Sequence, residues 1–385
     1  ALRKDDKLQT YDLNNPLNDA EKARKLFYDE VNAFSELPTR CKEIYYGLLS
    51  PFEEFQGFFA YMKYRLLFPA TERAIRREFS GLICENADLR ALISAQPIEL
   101  AYALALIGCN DCHSVTPPWL TRNYPRIESL VKTLRGRPCK NRCPYCREAF
   151  GIHRKLREFF GFDQFRSYGG EPLQERAVQA AVNGKSLLSV FPTGGGKSVT
   201  FQLPALMAGQ TDHGLTVVIS PLQSLMKDQV DNLSEHGLVD AVTVNGLLSP
   251  VERAEALERV ANGLATIFYI SPEQLRSRTI EKLLLSRNVV RFVIDEAHCF
   301  SAWGQDFRVD YLYIGDFIRE LQTRKGLSSP IPVSCFTATA KQKVISDIRD
   351  YFQEKLGIEL ELFTSAASRE NLRYVVLHQE TEADK

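Results

Sequence analysis

Residues 186–206 read SLLSVFPTGGGKSVTFQLPAL. The first five residues are a short apolar run of the length of a buried strand. The turn FPTGGGKS follows, and then an apolar stretch of helical length. Strand, glycine-rich turn and helix in that order suit phosphate binding. The glycines let backbone N–H groups wrap phosphate oxygens, and the helix aims the positive end of its dipole at the same place. Thr193, Gly194, Gly195 and Gly196 form the expected cradle. Lys197 is expected to reach the β- and γ-phosphates of ATP, and Ser198 to hold Mg²⁺. The general pattern has glycine or alanine where Phe191 stands.

Downstream, VVRFVIDEAH at 289–298 ends another apolar run on two carboxylates. Asp295 is expected to hold Mg²⁺ through its water shell, and Glu296 to orient and deprotonate the attacking water. Between and beyond these motifs, apolar runs at 216–220, 241–244, 265–270 and 333–336 alternate with amphipathic segments. Runs that are apolar throughout suit parallel strands covered on both faces, with crossover helices between them.

The rest of the chain differs in character. Residues 1–108 read as helices. Asn18 with Glu21, and Ser50 with Pro51 and Glu53, fit helix starts. Residues 109–150 are rich in cysteine, proline and arginine. The 385 residues carry no net charge, so attraction to nucleic acid must be local. From 121 to 166 basic side chains dominate, opposed only by Glu128, Glu148, Glu158 and Asp163; this suits phosphate contact or an ordinary solvated face. No run is long and apolar enough to span a membrane, and the start ALRKDDKLQT lacks the apolar core of a signal peptide. A cytoplasmic, nucleoid or nuclear setting is expected.

The chain has nine cysteines. Their CxxC pairs suit metal-binding thiols in a reduced compartment better than a disulfide framework. Cys109, Cys112, Cys143 and Cys146 are expected to bind Zn²⁺ as two knuckles, with His113 and Cys139 as alternative ligands. An iron–sulfur cluster and four buried free thiols are the competing readings.

The ordered motifs carry a resemblance. FPTGGGKS, VVISPLQSLMKDQVDNL (217–233), YISPEQL (269–275), DEAHCFSAWGQDFRVDY (295–311), SCFTATA (334–340) and SRENLRYVV (368–376) follow one another as in RecQ-family superfamily 2 DNA helicases, which the chain resembles over 156–376. The threonine-rich segment after DEAH and the aromatic-rich loop argue against other P-loop ATPases. The resemblance implies an α/β fold: a RecA-like parallel sheet with flanking helices, the first of two such domains in a DNA-stimulated ATPase. Together with the helix starts and the cysteine spacing, this gives three expected regions: 1–108 helical, 109–150 zinc-binding and 151–378 ATP-binding, of which only the last rests on the resemblance. It also implies that Gln174, after FGFDQFR (160–166), reads adenine, although SYGGEPL makes the gap longer than the family's. Trp303 and Phe307 are implied to stack on unpaired bases and Arg308 to hold phosphate, with packing in the core as the alternative for the two aromatics. Gln305 replaces the family's common histidine. The second RecA-like domain, which supplies an arginine finger, has no counterpart here, so the chain reads as a piece of a longer helicase. The alternative is a nucleotide-dependent DNA-binding or scaffold subunit of a larger complex, such as a phage-defence system.

Overall fold

The apolar runs become strands of one sheet. The computed structural model describes residues 2–4, 7–9, 72–108, 116, 118–246, 248–301, 305–327, 329–338 and 341–365. The chain divides into two compact units, 1–148 and 149–385.

The first unit opens with a short antiparallel hairpin, β1 (Leu2–Lys4) and β2 (Lys7–Gln9). Among the described residues, the helices that follow are α1 (Glu72–Glu78), α2 (Leu89–Ala95), α3 (Pro97–Gly108), α4 (Pro118–Asn123), α5 (Ile127–Arg135) and α6 (Pro144–Ala149). Helix α5 shows why this region folds. Ile127, Leu130, Val131 and Leu134 lie at helical spacing on one face, and all four are buried. That face packs against α3. The helix starts expected at Asn18 and Ser50 lie outside the described residues.

The second unit holds α7 (Ile152–Phe160), α8 (Leu173–Val182), β3 (Leu187–Val190), α9 (Lys197–Asp212), β4 (Leu215–Ile219), α10 (Gln223–Glu235) and β5 (Ala241–Val244). It continues through α11 (Pro250–Ala261), β6 (Ile267–Ile270), α12 (Arg278–Ser286), β7 (Val289–Ile294), α13 (Gln305–Arg324), β8 (Val333–Thr337), α14 (Gln342–Leu356) and β9 (Glu361–Thr364). The seven strands β3–β9 form one sheet in the order β5-β6-β4-β7-β8-β3-β9, and every pairing in it is parallel. This is the expected α/β architecture, a RecA-like parallel sheet with flanking helices. Strands β3, β4, β5, β6 and β8 are buried along their whole length, as continuous apolar runs require. Edge strand β9 escapes sequence reading because its burial alternates, with only Phe363 fully inside.

Strand order decides where the motifs meet. β3 carries the glycine-rich turn and β7 carries the acidic pair; only β8 lies between them. All three run the same way, so their carboxyl ends share one edge. Parallel sheets present ligand sites at that edge. The buried guanidinium of Arg291 on β7 ties the opposite edge. It donates to the carbonyls of Lys185 (2.9 Å) and Ala181 (2.7 Å) and to Ser334 Oγ (2.8 Å).

A candidate nucleotide site at the carboxyl edge of the sheet

The loop after β3 is held in shape by its own sequence neighbours. Gly194 and Gly196 have φ of 73° and 78°, a conformation that side chains other than glycine rarely adopt. A Cβ on Gly195 would meet the Pro192 carbonyl at 2.7 Å. Three consecutive loop carbonyls are engaged by one upstream segment. Arg166 donates to Gly194 O, the Tyr168 hydroxyl to Gly195 O, and Gln174 Nε2 to Gly196 O at 2.9 Å. With its carbonyls held on that side and the Gly195 N–H donated back to the Pro192 carbonyl at 2.9 Å, the loop is fixed in one form.

The two departures from the expected pattern belong together. Residues 167–173, longer than the resemblance implied, make a tight turn in which Tyr168 and Glu171 exchange backbone hydrogen bonds of 2.9 and 3.0 Å. Gly169 and Gly170 both have positive φ, as a two-residue turn of this hand needs. The turn places the Tyr168 ring on Phe191, with centroids 4.7 Å apart and planes 19° apart. Phe191 is fully buried. The unusual phenylalanine is therefore the platform on which the unusual tyrosine stacks.

Gln174 is 3% exposed, and its amide is already engaged on both sides. Its Oε1 accepts from Arg166 N–H at 2.7 Å while Nε2 donates to Gly196 O. One N–H and one lone pair of the amide remain.

Lys197 opens helix α9, with Ser198 beside it. Lys197 Nζ lies 3.9 Å from Glu296 Oε1, so the two motifs meet across the space between β3 and β7. Asp295 is anchored by its N–H to Ile219 O at 2.9 Å, and its Oδ1 accepts from Glu296 N–H at 3.0 Å. Glu296 itself has φ 47° and ψ 45°, the left-handed region. That conformation costs a residue with a Cβ roughly 1–2 kcal/mol, and such strain clusters at functional sites.

The two carboxylates are driven apart in acidity. Burial pushes Asp295 up from the usual carboxylate range and the neighbouring Glu296 charge adds to it, against the pull of Lys197 and His298. Glu296 is held low, first by its hydrogen bond to His298 and then, against its partial burial, by the charges of Lys197 and His298. His298 Nδ1 lies 3.2 Å from Glu296 Oε2 and 3.4 Å from Thr337 Oγ1. Thr337 ends β8, so one imidazole links the acidic pair to the threonine of SCFTATA. Sequence reading assigned no role to His298, Thr337 or Tyr168. The spelling DEAH was the available signal for the first, and the long gap for the last.

The aromatic-rich stretch is not all loop. Ala297–Phe300 is a single 3-10 turn, and helix α13 begins at Gln305. Phe307 and Arg308 fall in the first turns of α13, and Trp303 lies outside the described residues. Phe300 belongs to the core, with Tyr311, Tyr351 and Phe352 rings 4.6–5.3 Å away. The Tyr311 hydroxyl donates to the Asp295 carbonyl at 3.2 Å, which connects α13 to the acidic pair.

A second cluster lies in the first unit. The sulfurs of Cys84, Cys139, Cys143 and Cys146 all lie within 4.8 Å of one another. Cys143 and Cys146 belong to the expected zinc set, and Cys139 was its alternative ligand. Cys84 was not foreseen. Cys109 and Cys112 lie outside the described residues.

The DEAD/DEAH box helicase family matches residues 171–348, the span from the start of α8 into α14. The chain is 38% identical over 202 residues to the probable ATP-dependent DNA helicase RecS of Bacillus subtilis, covering 52% of this chain and 37% of that one. It is 39% identical over 229 residues to the ATP-dependent DNA helicase RecQ of the same organism, covering 59% and 35%.

Residues 171–348 match the DEAD/DEAH box helicase family, and the relatives that the chain resembles include RecQ helicases.

The chain spans about a third of the length of these relatives. Among solved structures, a hypothetical ATP-dependent RNA helicase from Sulfolobus tokodaii aligns with a TM-score of 0.40 at 21% identity, covering 56% of each chain. Among the described residues, no helix is long and apolar enough to cross a membrane.

Proposed function

We propose that this chain is the nucleotide-binding half of an ATP-dependent DNA helicase or translocase. The observation that supports it most is the meeting of Lys197 with the Asp295–Glu296 pair at the carboxyl edge of one parallel sheet. In this reading the Gly194–Gly196 backbone, Thr193 and Lys197 hold the phosphates. Ser198 and Asp295 hold Mg²⁺, which supplies charge neutralisation at the β- and γ-phosphates when bound. The donor set fits that ion, being a hydroxyl and a carboxylate at the mouth of a phosphate loop.

Glu296 is the general base. A carboxylate held low stays ionised at neutral pH, so it is free to accept a proton from water. His298 orients it. Gln174 reads adenine with its remaining N–H and lone pair, which suit the donor–acceptor edge of that base. DNA is the partner, as the names of the relatives state for those proteins. Trp303, Phe307 and Arg308 contact the single strand, and Tyr311 carries the signal to Asp295. The complete motor needs a second RecA-like domain for its arginine finger. It works wherever DNA is held, in a cytoplasm with a nucleoid or in a nucleus. Residues 151–378 form the motor half, 1–108 a helical region, and 109–150 a cysteine-rich region that takes part in binding Zn²⁺.

The test is ATP hydrolysis by this chain joined to its second RecA-like domain, with and without single-stranded DNA. Hydrolysis that rises steeply with DNA is expected. DNA binding with no hydrolysis in either condition would defeat the motor reading and leave a scaffold.

A further inference from the structure

The four converging sulfurs come from two distant stretches. Cys84 lies in the turn region after α1 and is fixed by its N–H to the Leu134 carbonyl at 2.7 Å. Cys139, Cys143 and Cys146 come from the segment CKNRCPYC, whose backbone folds back at Arg142, with φ 42°. Tyr145 pins that segment to the end of α5, its hydroxyl donating to Arg135 O at 2.8 Å. Cys84, Cys143 and Cys146 are buried and Cys139 is half-buried.

We propose that Cys84, Cys139, Cys143 and Cys146 together hold one mononuclear Zn²⁺ in a closed tetrahedral site. This deepens the zinc reading above by naming its ligands and its nuclearity. Size is the first argument. A tetrahedron with Zn–S bonds of about 2.3 Å has sulfurs about 3.8 Å apart. Cys84 Sγ and Cys143 Sγ are 3.9 Å apart, and no pair exceeds 4.8 Å. A polynuclear iron–sulfur cluster puts several atoms between its cysteine sulfurs, and this group is too tight for one.

The second argument is independent of size. Three N–H donors point at these sulfurs: Cys139 N to Cys146 Sγ at 3.4 Å, Cys143 N to Cys139 Sγ at 3.3 Å, and Asn86 Nδ2 to Cys139 Sγ at 3.2 Å. A neutral thiol is a weak acceptor, whereas a thiolate is a charged one. Donors arranged around sulfur in this way support ligating thiolates, as outer hydrogen bonds do at metal sites. Four thiolates fill a tetrahedral ion, so the site has no open position and its role is structural. Zinc there ties the turn after α1 to the end of α5 across more than fifty residues of chain.

The test uses the whole chain, purified without chelator. Elemental analysis should find about one zinc per chain. Alkylation mapped by mass spectrometry should show Cys84, Cys139, Cys143 and Cys146 protected until a chelator is added, with Cys109 and Cys112 reacting throughout. Replacing zinc by Co²⁺ should give the intense visible bands of a tetrahedral thiolate site. Cys84→Ser should lose most of its zinc, and Cys109→Ser should keep it. Asn86→Ala, which removes no ligand, should weaken zinc binding by roughly 10–100-fold. The mapping needs no variant, so a Cys84→Ser chain that fails to fold leaves the test intact. Zinc that protects Cys109 and Cys112 in place of Cys84 and Cys139 would overturn this ligand set while leaving the zinc reading standing. Iron with inorganic sulfide and broad visible absorption would overturn the mononuclear site. A protein free of metal would end both.

Discussion

Lys197 Nζ faces Glu296 Oε1 across 3.9 Å, one cation and one anion at the place where a triphosphate would enter. The pair has two consequences of opposite sign. In the proposed function Lys197 attracts the γ-phosphate, and Glu296 repels it and takes a proton from water. Lys197→Ala should therefore lower hydrolysis by ~10²–10³ in the complete motor, with the fold retained, since the ammonium acts on phosphate and not on the core. Steady-state hydrolysis beside a melting curve decides it. Near-normal turnover in a folded variant would remove Lys197 from the chemistry.

Glu296→Gln should separate binding from chemistry. Losing the negative charge removes repulsion, so ATP should bind as tightly as in the parent protein or more tightly. Hydrolysis should nevertheless collapse, because the amide accepts no proton. Titration with a fluorescent ATP analogue, beside single-turnover hydrolysis, reads the two effects separately. Parallel loss of both would point to a structural role for the strained left-handed residue.

Tyr168 tests whether the clamp on the phosphate loop matters. Tyr168→Phe keeps the ring on Phe191 and loses only the hydroxyl on Gly195 O. A cost in nucleotide affinity of roughly 0.5–1.5 kcal/mol is expected, the value of one hydrogen bond. Tyr168→Ala also loses the stack and should weaken binding further. Equal affinities for all three proteins would show that the loop holds its shape unaided.

The buried Arg291 makes three hydrogen bonds far from the carboxyl edge of the sheet. Burial alone pulls its guanidinium down to about 10. Arg291→Met should destabilise the second unit by roughly 1–3 kcal/mol through acceptors left unpaired. Nucleotide affinity at low temperature should not change. Denaturant unfolding beside ATP binding is the measurement, and an unchanged unfolding midpoint would contradict it.

Trp303→Ala and Arg308→Ala bear on coupling to DNA. Losing a stacking ring should weaken single-strand affinity by ~1–3 kcal/mol and flatten DNA stimulation, while basal hydrolysis survives. If Trp303 only fills the core, truncation should instead lower stability by ~3–5 kcal/mol and leave stimulation intact in the folded fraction.

The sequence by itself determined the sheet and the residues that stand at its carboxyl edge. Runs such as TVVIS and FVID need both faces covered, which makes a parallel sheet. GGGKS and DE each follow such a run, which sets both motifs at the carboxyl edge; phosphate, Mg²⁺ and water are the partners proposed for them. Strand β9 stayed hidden because an edge strand covered on one side alternates, and ELELFT does not stand out from a loop. Only the tertiary structure decided three further matters. It showed that the odd Phe191 and the long 167–173 gap answer each other through one stacked pair. It joined His298 to Thr337, residues 39 apart in sequence, because β8 lies beside β7. It also put Cys84 beside Cys139 and the CxxC of Cys143 and Cys146. Spacing reveals ligands only when they are close along the chain. Cys84 is brought in by the packing of the turn after α1 against the end of α5, and nothing local in the sequence encodes that.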